Sequence, residues 1–365
     1  MDKLTNTQID RVLRHLPVLH RPDLAISDWI GMEQKGNILT MGMEVHSTEI
    51  RRILQDLREN GFVIDADWGN WQKSAERYWE QPELLKYASL GTLQKVLTTH
   101  VRKDHFCEGH FSEVVRSGHL TAIIERLAEI RLGTKDDNPW VDLPKRSPFV
   151  LPEDKACIEN FNLKANDNFR IHLEIIPEPY LGNWNAPVVL LALNPGFKDA
   201  DLTFHANPRF SELSRANLLH KPADYPFYLL DPSIDRTKWW DRHLRRLIDE
   251  VGCEKVANNV LCVEFFPYHS RKFRHTKCRV PSQEHSFELV RQAIERDAVI
   301  LLLRGRKQWV GEIPELENYR HFYIANTVQN AVVSPGNFPT GFKAALDAIR
   351  KGLDMGQSRD VSSSP

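Results

Sequence analysis

Residues 186–196 read Ala-Pro-Val-Val-Leu-Leu-Ala-Leu-Asn-Pro-Gly, and this stretch decides the fold of the chain. Its apolar run, Val188 to Leu193, carries no charge and stops at Asn194-Pro195-Gly196. A short apolar run bounded by turn residues is typical of a strand buried on both faces, as in a parallel sheet. Ligands of such sheets bind just outside the carboxyl ends of the strands, so Asn194 stands where a catalytic residue would stand. The alternative is that the tripeptide is only a turn.

Size and composition predict two folded domains in a reduced, cytoplasmic protein. The chain has 365 residues, 41% of them hydrophobic, and a formal net charge of -1. A net charge near zero still allows a nucleic-acid partner, because a local basic rim is enough. Five widely spaced cysteines without a Cys-x-x-Cys pair argue against a disulfide framework or a zinc site. The chain start lacks a signal-peptide pattern and no apolar run approaches the roughly 18 residues of a membrane helix, so no membrane partner is expected.

Pattern changes along the chain predict its domain boundaries. Residues 1–132 carry apolar residues at helical spacing and form a mainly α-helical accessory domain. Proline and charge dominate residues 133–154, which we expect to be a linker. Residues 155–353 alternate between buried strands and helices and form a second, α/β domain. Residues 354–365 are expected to be a disordered tail.

Part of the helical region carries a pattern that resembles a small domain of unknown function. The pattern is Leu-Thr-x-x-x-Arg-x-x-x-Phe-x-x-Gly over residues 97–109, followed by Gly-x-x-x-x-Ile-x-x-Arg-Leu over residues 118–127. This resemblance implies no chemistry. The same region holds a set of histidines that spacing does not place on one helix face and no carboxylate joins, so surface and cap positions are favoured over a metal site: His100, His105, His110 and His119. The aromatic residues before them either stack nucleic-acid bases or lie in a core: Trp68, Trp71, Tyr78 and Trp79.

The second half of the chain predicts a mainly parallel sheet with helices on both faces. The expected strands are Phe169–Ile175 at an edge, Pro187–Asn194, Val260–Phe266, Ala298–Leu303, Tyr319–Ala325 and Ala331–Val333. The expected helices are Arg242–Val251, Ser286–Arg296 and Gly341–Leu353. Three of the strand ends carry unusual residues, and the carboxyl ends of parallel strands meet along one edge: Asn194-Pro195-Gly196, Glu264 with Pro267-Tyr268-His269, and residues 334–338 (Ser-Pro-Gly-Asn-Phe).

With these three strand ends the chain resembles the uracil-DNA glycosylase superfamily, over about residues 178–345. Asn194-Pro195-Gly196 matches the first motif of the mismatch-specific and single-strand-selective branches. Placing Pro335 on the proline of the second motif puts Ser334 where the family has His or Asn, and Phe338 at the wedge position. The resemblance implies a three-layer α/β/α fold with a central, mainly parallel four-stranded sheet. It also implies a DNA substrate with a flipped base, with residues 155–353 as the catalytic domain and the helical domain 1–132 as a candidate DNA-binding or specificity module.

The resemblance implies roles for the strand-end residues. Asn194 would hold the attacking water by its carbonyl oxygen, and Ser334 would stabilise the leaving base less well than the family's histidine. His269 and His205 are candidate substitutes for that histidine. Glu264 falls on the residue that reads the flipped base. An ionised carboxylate only accepts hydrogen bonds, so it would repel O4 of uracil and accept from the N4 amine of cytosine. The alternative for Glu264 is a buried partner of an arginine such as Arg304 or Arg274.

The remaining candidate residues would contact the DNA. Phe204 lies near the family's base-stacking position, with Phe197 and Tyr268 as rivals for that role. Phe338 would fill the gap that the flipped base leaves. Residues suited to phosphate contacts follow two strand ends or neighbour the wedge: Arg304, Arg306, Lys307, Arg271, Lys272, Arg274 and Asn337. Trp239 and Trp240 are expected to pack against the sheet, with a pocket-lining role as the second interpretation.

The sequence therefore predicts a monofunctional DNA glycosylase that needs no cofactor or metal and removes a modified cytosine-type base. No lysine lies within a matched motif, so a Schiff-base lyase step is not expected. Excision of ordinary cytosine would destroy the host genome, which points to the hypermodified bases of viral DNA and to antiviral defence. Three alternatives stay open: a repair glycosylase for uracil or mismatched thymine, a sensor that binds modified DNA without cutting it, and a hydrolase of free nucleosides.

Overall fold

The computed structural model describes residues 4–30, 33–35, 38–40, 43–132, 138–234, 238–275, 278–327, 329 and 331–360. The chain forms two compact units, Met1–Asp137 and Asn138–Pro365, so the boundary lies close to the predicted end of the helical domain. The linker predicted over residues 133–154 is too long. Residues from Asn138 onward belong to the second unit, where Trp140 and Leu151 are buried in a hydrophobic core. Residues 133–137 lie outside the described part of the chain.

The first unit is mainly helical, as predicted. Its helices are α1 (Asn6–Leu13), α2 (Leu16–Leu19), α3 (Thr48–Glu59), α4 (Trp68–Glu80), α5 (Leu90–Lys103), α6 (His110–Arg116) and α7 (His119–Leu132). Its strands are β1 (Ser27–Ile30), β2 (Glu33–Lys35), β3 (Ile38–Thr40) and β4 (Met43–His46). Strand β1 pairs with β4 and β2 pairs with β3, both antiparallel. Pairings of three or four residues are too short to leave a clear alternating pattern, and the sequence did not reveal them.

Helix α3 shows how local sequence builds this unit. Ser47 caps its N-terminus by accepting a hydrogen bond from the backbone amide of Ile50 at 3.3 Å. Apolar residues at helical spacing, from Ile50 to Leu57, are buried in the core of the unit. The helix ends at Asn60 and Gly61, and Gly61 adopts a φ of 77°, the left-handed conformation that glycine tolerates best.

The second unit alternates helices and strands. Its helices are α8 (Pro152–Asn162), α9 (Asp199–Ala206), α10 (Pro208–Leu218), α11 (Lys238–Val251), α12 (Cys253–Asn259), α13 (Gln283–Glu295), α14 (Arg306–Glu312) and α15 (Gly341–Asp360). Its strands are β5 (Tyr180–Gly182), β6 (Val188–Ala192), β7 (Val260–Glu264), β8 (Val299–Leu302) and β9 (Phe322–Ile324). Helix α15 runs to Asp360, so residues 354–360 are helical and not the disordered tail that was expected, and residues 361–365 lie outside the described part.

The five strands form one sheet in the order β5-β7-β6-β8-β9. Strand β6 is central and parallel to β7 and β8, and β9 is parallel to β8, which confirms the mainly parallel sheet. The predicted strand number of four is wrong, because β5 adds an antiparallel edge beside β7. The edge strand predicted at Phe169–Ile175 is reduced to an isolated bridge between His172 and His269, and residues 331–333 form no strand.

Alternate residues of β6 pack into two separate hydrophobic clusters. Val189 and Leu191 lie in a cluster with residues of α8, α13 and α14. Val188 and Leu190 lie in a second cluster with residues of α10, α11, α12 and α15. The strand is thus buried on both sides, which explains its uninterrupted apolar sequence. Among the described helices, none combines the length and apolarity needed to cross a bilayer.

Candidate functional site

A cavity of about 550 Å³ opens at the carboxyl edge of the sheet in the second unit. Asn194 follows β6, Glu264 ends β7 and Arg304 follows β8, and all three line this cavity. The register of the sheet explains why Asn194 and Glu264 lie at the same edge, since Ala192, two residues before Asn194, pairs with Glu264 across β6 and β7. The sequence prediction that these strand ends converge is confirmed for Asn194 and Glu264.

The side-chain amide of Asn194 is held in one orientation. Its nitrogen donates to the carbonyl oxygen of Pro195 and to Ser270 Oγ, each at 2.9 Å. A carbonyl oxygen can only accept, so the nitrogen and not Oδ1 must face Pro195. Oδ1 has no hydrogen-bond donor among the described residues, and the half-buried side chain lines the cavity. Asn194 therefore offers a free acceptor in a fixed position.

Ser270 supports Asn194 from behind and is itself held by His275. Ser270 Oγ lies 2.7 Å from His275 Nε2 and 3.2 Å from the carbonyl oxygen of Lys272. Burial lowers the pKa of His275 to about 4, so its ring is neutral at neutral pH. Both residues belong to a basic run, residues 270–277 (Ser-Arg-Lys-Phe-Arg-His-Thr-Lys), whose charge predicts phosphate contacts. That pattern gave no sign of a role for Ser270 or His275 beside Asn194. Residues 276 and 277 of that run lie outside the described part.

Glu264 lies in the cavity wall with one carboxyl oxygen unpaired. The side chain is 6% exposed, and Oε2 is buried without a hydrogen-bond partner. Burial raises the pKa of Glu264 to about 8, and the nearby charge of Glu178 adds to the increase while Arg304 opposes it. The carboxyl is therefore mainly neutral at pH 7 and provides one donor and one acceptor. This changes the sequence argument, which assumed an ionised group that only accepts.

Neither arginine expected as a partner of Glu264 forms a salt bridge with it in the described part of the chain. Arg304 is exposed in the cavity lining and makes no ion pair among the described residues. Arg274 lies elsewhere, over the ring of Phe169 at 5.2 Å, and lines a second cavity. The interpretation of Glu264 as half of a buried ion pair therefore has no contact to support it.

Glu178, His205 and His269 form a cluster of potential metal ligands in the cavity, with one ligand atom from each within 4.8 Å of the others. His269 is already engaged through both ring nitrogens. Nδ1 lies 2.7 Å from the carbonyl oxygen of Gly196, and Nε2 lies 3.0 Å from that of Ile176. Each ring nitrogen of His269 thus faces a carbonyl oxygen at hydrogen-bond distance, which leaves no open position for a metal ion at this ring. The arrangement does not fit a metal site.

The two histidines expected to assist the leaving base differ in their availability. His269 has no free N–H, because both nitrogens contact carbonyl oxygens. Burial lowers the pKa of His205 to about 2, and its Nδ1 has no partner. The neutral ring of His205 keeps a donor available in the cavity. Glu178 is held differently, by a hydrogen bond from the Tyr228 hydroxyl, and burial raises its pKa.

The three aromatic candidates for base stacking fall in different environments. Phe197 is buried and stacks on His172 with a centroid distance of 3.4 Å, while the Arg271 guanidinium lies 5.2 Å from its ring centre. Phe204 is half-buried and lines the cavity, as the sequence predicts for a stacking residue. Tyr268 is fully buried outside the cavity lining, and its hydroxyl donates to Asp154 at 2.7 Å. The base-binding prediction for Tyr268 is wrong, because its ring cannot reach a ligand.

The second motif does not present its side chains as expected. Ser334 is not part of the cavity lining, and its Oγ accepts from the amide of Asn337 at 3.3 Å. Asn337 is buried, and its Oδ1 accepts from the amide of Thr327 at 2.8 Å. Phe338 is 1% exposed and lies in the core beside β6. A wedge must leave the surface to enter a duplex, so the predicted wedge is wrong, and Asn337 is not free for DNA.

Some of the residues predicted to contact phosphates are already engaged with a carboxylate, and others are not. Arg271 is paired with Asp199, and Arg306 lies 3.9 Å from Glu317. Lys272 is exposed and lines the cavity together with Arg304. Lys307 is exposed at the start of α14, outside the cavity lining. Of the predicted phosphate contacts, Arg304 and Lys272 are therefore the two best placed for an anionic ligand of the cavity.

Trp239 and Trp240 behave differently from each other. Trp240 is buried in the core, as predicted for a packing residue, although it also contributes to the cavity lining. Trp239 is 42% exposed and also lines the cavity, which the prediction had ranked second. The sequence predicted this helix only from Arg242, whereas α11 begins at Lys238, so it did not show which of the two adjacent rings faces outward.

The first unit brings together three of the four histidines that spacing had separated. Nδ1 of His100 lies 3.0 Å from Nε2 of His110, and the rings of His100 and His119 are 5.2 Å apart. Trp79 contacts all three rings. Burial lowers the pKa of each, that of His119 to about 4. His105 is exposed, and His110 and His119 are the first residues of α6 and α7, as the surface and cap interpretation predicts. His100 and His119 are nevertheless buried, because three different helices bring these rings together.

Comparison with known proteins assigns only the first unit. Residues 4–133 match the model of a family of unknown function (DUF6508), which covers the region whose pattern resembled a domain of unknown function. Neither curated proteins nor solved structures give a match to the chain.

Proposed function

We propose that residues 138–360 form a monofunctional DNA glycosylase that hydrolyses the N-glycosidic bond of a flipped, modified cytosine. The free Oδ1 of Asn194, fixed in the cavity beside Glu264, is the observation that carries this proposal. The two packed sides of the sheet are compatible with the α/β/α layering of the uracil-DNA glycosylase superfamily. Arg304 and Lys272 supply positive charge at the cavity for a DNA backbone.

The reaction needs a positioned water and a stabilised leaving base. Asn194 Oδ1 accepts a hydrogen bond from the water, whose oxygen bonds to the anomeric carbon of the sugar as the carbon–nitrogen bond breaks. The bonding electrons leave with the base. The sugar keeps the oxygen of the water as a hydroxyl group, and the departing base anion takes up the proton that the water loses. An amide positions the water without adding negative charge beside the cationic sugar.

Glu264 takes a different role from the one that an ionised group would have. A neutral carboxyl donates to N3 of cytosine and accepts from its N4 amine, and the donated hydrogen bond stabilises the departing anion. The same group also fits uracil, by donating to O4 and accepting from N3–H. Glu264 therefore admits cytosine but does not reject uracil at neutral pH, which makes a uracil or mismatched-thymine repair glycosylase the second candidate.

Oligonucleotides that carry uracil, a T·G mismatch, cytosine or 5-substituted cytosines test the proposal directly. We expect abasic sites with a 5-substituted cytosine, and no release after Asn194→Ala although DNA binding persists. Release of uracil alone would assign the repair function. Binding without release from any oligonucleotide would identify a sensor. Release from free nucleosides but not from DNA would identify a nucleoside hydrolase.

The monofunctional assignment needs its own test, because Lys198 and Lys272 both line the cavity. A lysine that formed a Schiff base with the abasic sugar would be trapped by borohydride as a covalent protein–DNA adduct. We expect no adduct, and strand breaks only after alkali. Release of the modified base from viral DNA, but not from host DNA, would support a role in antiviral defence in the cytoplasm.

A further inference from the structure

We propose that Trp239 is the residue of this site that stacks on a nucleobase at the cavity mouth. This inference rests on the proposed DNA substrate and assigns the exposed aromatic contact that Phe338 cannot provide. Trp239 is 42% exposed, lines the cavity and lies at the start of α11. An aromatic ring that is both exposed and part of a cavity wall can meet a ligand without a change of the core.

The ring of Trp239 is held in place by its neighbours. It stacks on His243 with centroids 3.6 Å apart and an interplanar angle of 18°. The ring of Trp240 meets it at 84°, with centroids 4.5 Å apart. Nδ1 of His243 donates to the carbonyl oxygen of Trp239 at 2.7 Å, which fixes the supporting ring. Since His243 covers one face, a base would stack on the other face at little entropic cost.

A free cation lies near this aromatic surface. Arg304 lines the same cavity, is exposed, and makes no ion pair in the described part of the chain. Its positive charge lowers the pKa of both His243 and Glu264, so the guanidinium lies within electrostatic reach of the group that supports Trp239 and of the base-reading carboxyl. A stacking ring next to a cation is the arrangement that proteins use to hold unpaired nucleotides, with the phosphate on the cation and the base on the ring.

The test compares two exposed tryptophans. Trp184 is 41% exposed but does not line the cavity, so Trp184→Ala is the matched control for Trp239→Ala. Binding of a fluorescent single-stranded oligonucleotide should weaken about tenfold in Trp239→Ala, stay close to wild type in Trp239→Phe, and not change in Trp184→Ala. Thermal unfolding of each variant shows whether it is folded, and Trp239→Phe keeps the test valid if Trp239→Ala is not.

The outcomes separate this inference from the proposed function. Equal oligonucleotide affinities of Trp239→Ala and Trp184→Ala would overturn the role of Trp239 while leaving the glycosylase proposal intact. Loss of affinity in Trp239→Ala, with no base released by the wild type, would support the stacking residue and reject the enzyme. A wild type that binds no oligonucleotide would reject both.

A second and independent inference concerns Cys157 and Cys278, whose sulfur atoms are 3.0 Å apart. We infer that a two-electron oxidant such as a peroxide joins them in a disulfide. The two thiols lose two protons and two electrons as the sulfur–sulfur bond forms. The oxidant takes them up as its oxygen–oxygen bond breaks, so that hydrogen peroxide gives two molecules of water. The sulfurs need to approach by only about 1 Å to reach the bonded distance. Both residues line the second cavity, which gives a small oxidant access.

The bond would tie α8 to the segment that supports Asn194. Cys157 lies in α8, and Cys278 donates its backbone amide to the carbonyl oxygen of His275 at 2.8 Å. His275 in turn holds Ser270, the partner of Asn194. Burial raises the pKa of the Cys278 thiol, so the half-buried Cys157 is the better first target of the oxidant.

Peptide mapping under non-reducing conditions tests this inference. After brief peroxide treatment we expect one intramolecular link, between Cys157 and Cys278, and none in Cys157→Ser. The exposed Cys107 is the internal control, because it has no neighbouring thiol among the described residues and should take up oxygen without forming that link. Oxidation of Cys107 while Cys157 and Cys278 both stay free would contradict the inference.

Discussion

The side-chain nitrogen of Asn194 donates to Ser270 Oγ at 2.9 Å and so turns the opposite oxygen, Oδ1, into the cavity. Ser270 is buried and is anchored in turn by His275 at 2.7 Å. The orientation of the proposed catalytic amide is thus set by a serine that lies 76 positions further along the chain.

Ser270→Ala should lower the rate of base release about tenfold without changing DNA affinity. The mutation removes one of the two acceptors of the Asn194 amide, and a loss of about 1.4 kcal/mol in transition-state stabilisation corresponds to that factor. Single-turnover kinetics at saturating enzyme, beside a binding titration, measure the two quantities separately.

A double-mutant cycle distinguishes positioning from a general structural effect. If Ser270 acts through Asn194, Ser270→Ala should have little further effect in an Asn194→Ala background. The exposed Ser233 provides a control substitution, Ser233→Ala, which should leave both rate and affinity unchanged. Additive losses in the double mutant would show that Ser270 does not work through Asn194.

Base release should fall as the pH rises through about 8, the raised pKa of Glu264. Below that value the carboxyl is neutral and pairs with the base through a donor and an acceptor; above it the donor is lost. Glu264→Gln keeps both hydrogen-bonding groups at every pH, so its profile should be flat in this range. A descending limb near pH 8 that persists in Glu264→Gln would assign the titration to another group.

The same carboxyl should make the folded protein less stable in alkali. Its pKa rises from 4.5 to about 8 on folding, mainly through burial, so its favourable contribution is complete below pH 4.5 and is lost as pH rises through 8. Glu264→Gln should therefore raise the melting temperature relative to wild type at pH 9 and change it little at pH 5. A stability difference that is independent of pH would contradict the burial of an ionisable Glu264.

Sequence alone predicted the features of this site that follow from strand order. Apolar runs with turn residues at their ends identified β6, β7 and β8, and parallel strands must bring Asn194 and Glu264 to one edge. The antiparallel β5 was missed because it has only three residues. Such a strand is defined by its partner rather than by its own pattern.

Burial and protonation were beyond the reach of the sequence. Tyr268 and Phe338 stand next to site residues in the chain, yet both rings turn into the core. The neutral state of Glu264 depends on the surrounding cavity wall, since burial is the main cause of its raised pKa. Ser270 matters through one contact across 76 positions, and no local pattern marks such a contact.

Phe338→Ala should lower the free energy of unfolding of the protein and leave the affinity of the folded protein for duplex DNA unchanged. The ring is 1% exposed in the core beside β6, so its removal leaves a cavity that costs about 3–5 kcal/mol of unfolding free energy. Urea denaturation measures this change, and Phe338→Leu should recover most of it. A variant with normal stability but weaker duplex binding would restore the wedge role.

Arg304→Gln should change both the salt dependence of oligonucleotide affinity and the pKa of Glu264, because the proposed role of Arg304 places one cation near the phosphate and near this carboxyl. Loss of one phosphate contact should reduce the slope of log affinity against log salt by about one for the oligonucleotide. Loss of the same charge should also move the pKa of Glu264 above 8, because Arg304 opposes the increase caused by burial and Glu178. The alkaline limb of base release should then shift to higher pH.

Arg306→Gln is the matched control, since Arg306 lies outside the cavity lining beside Glu317. A shift of the limb in the Arg306 variant, or no shift in the Arg304 variant, would separate Arg304 from the electrostatics of the base-reading carboxyl.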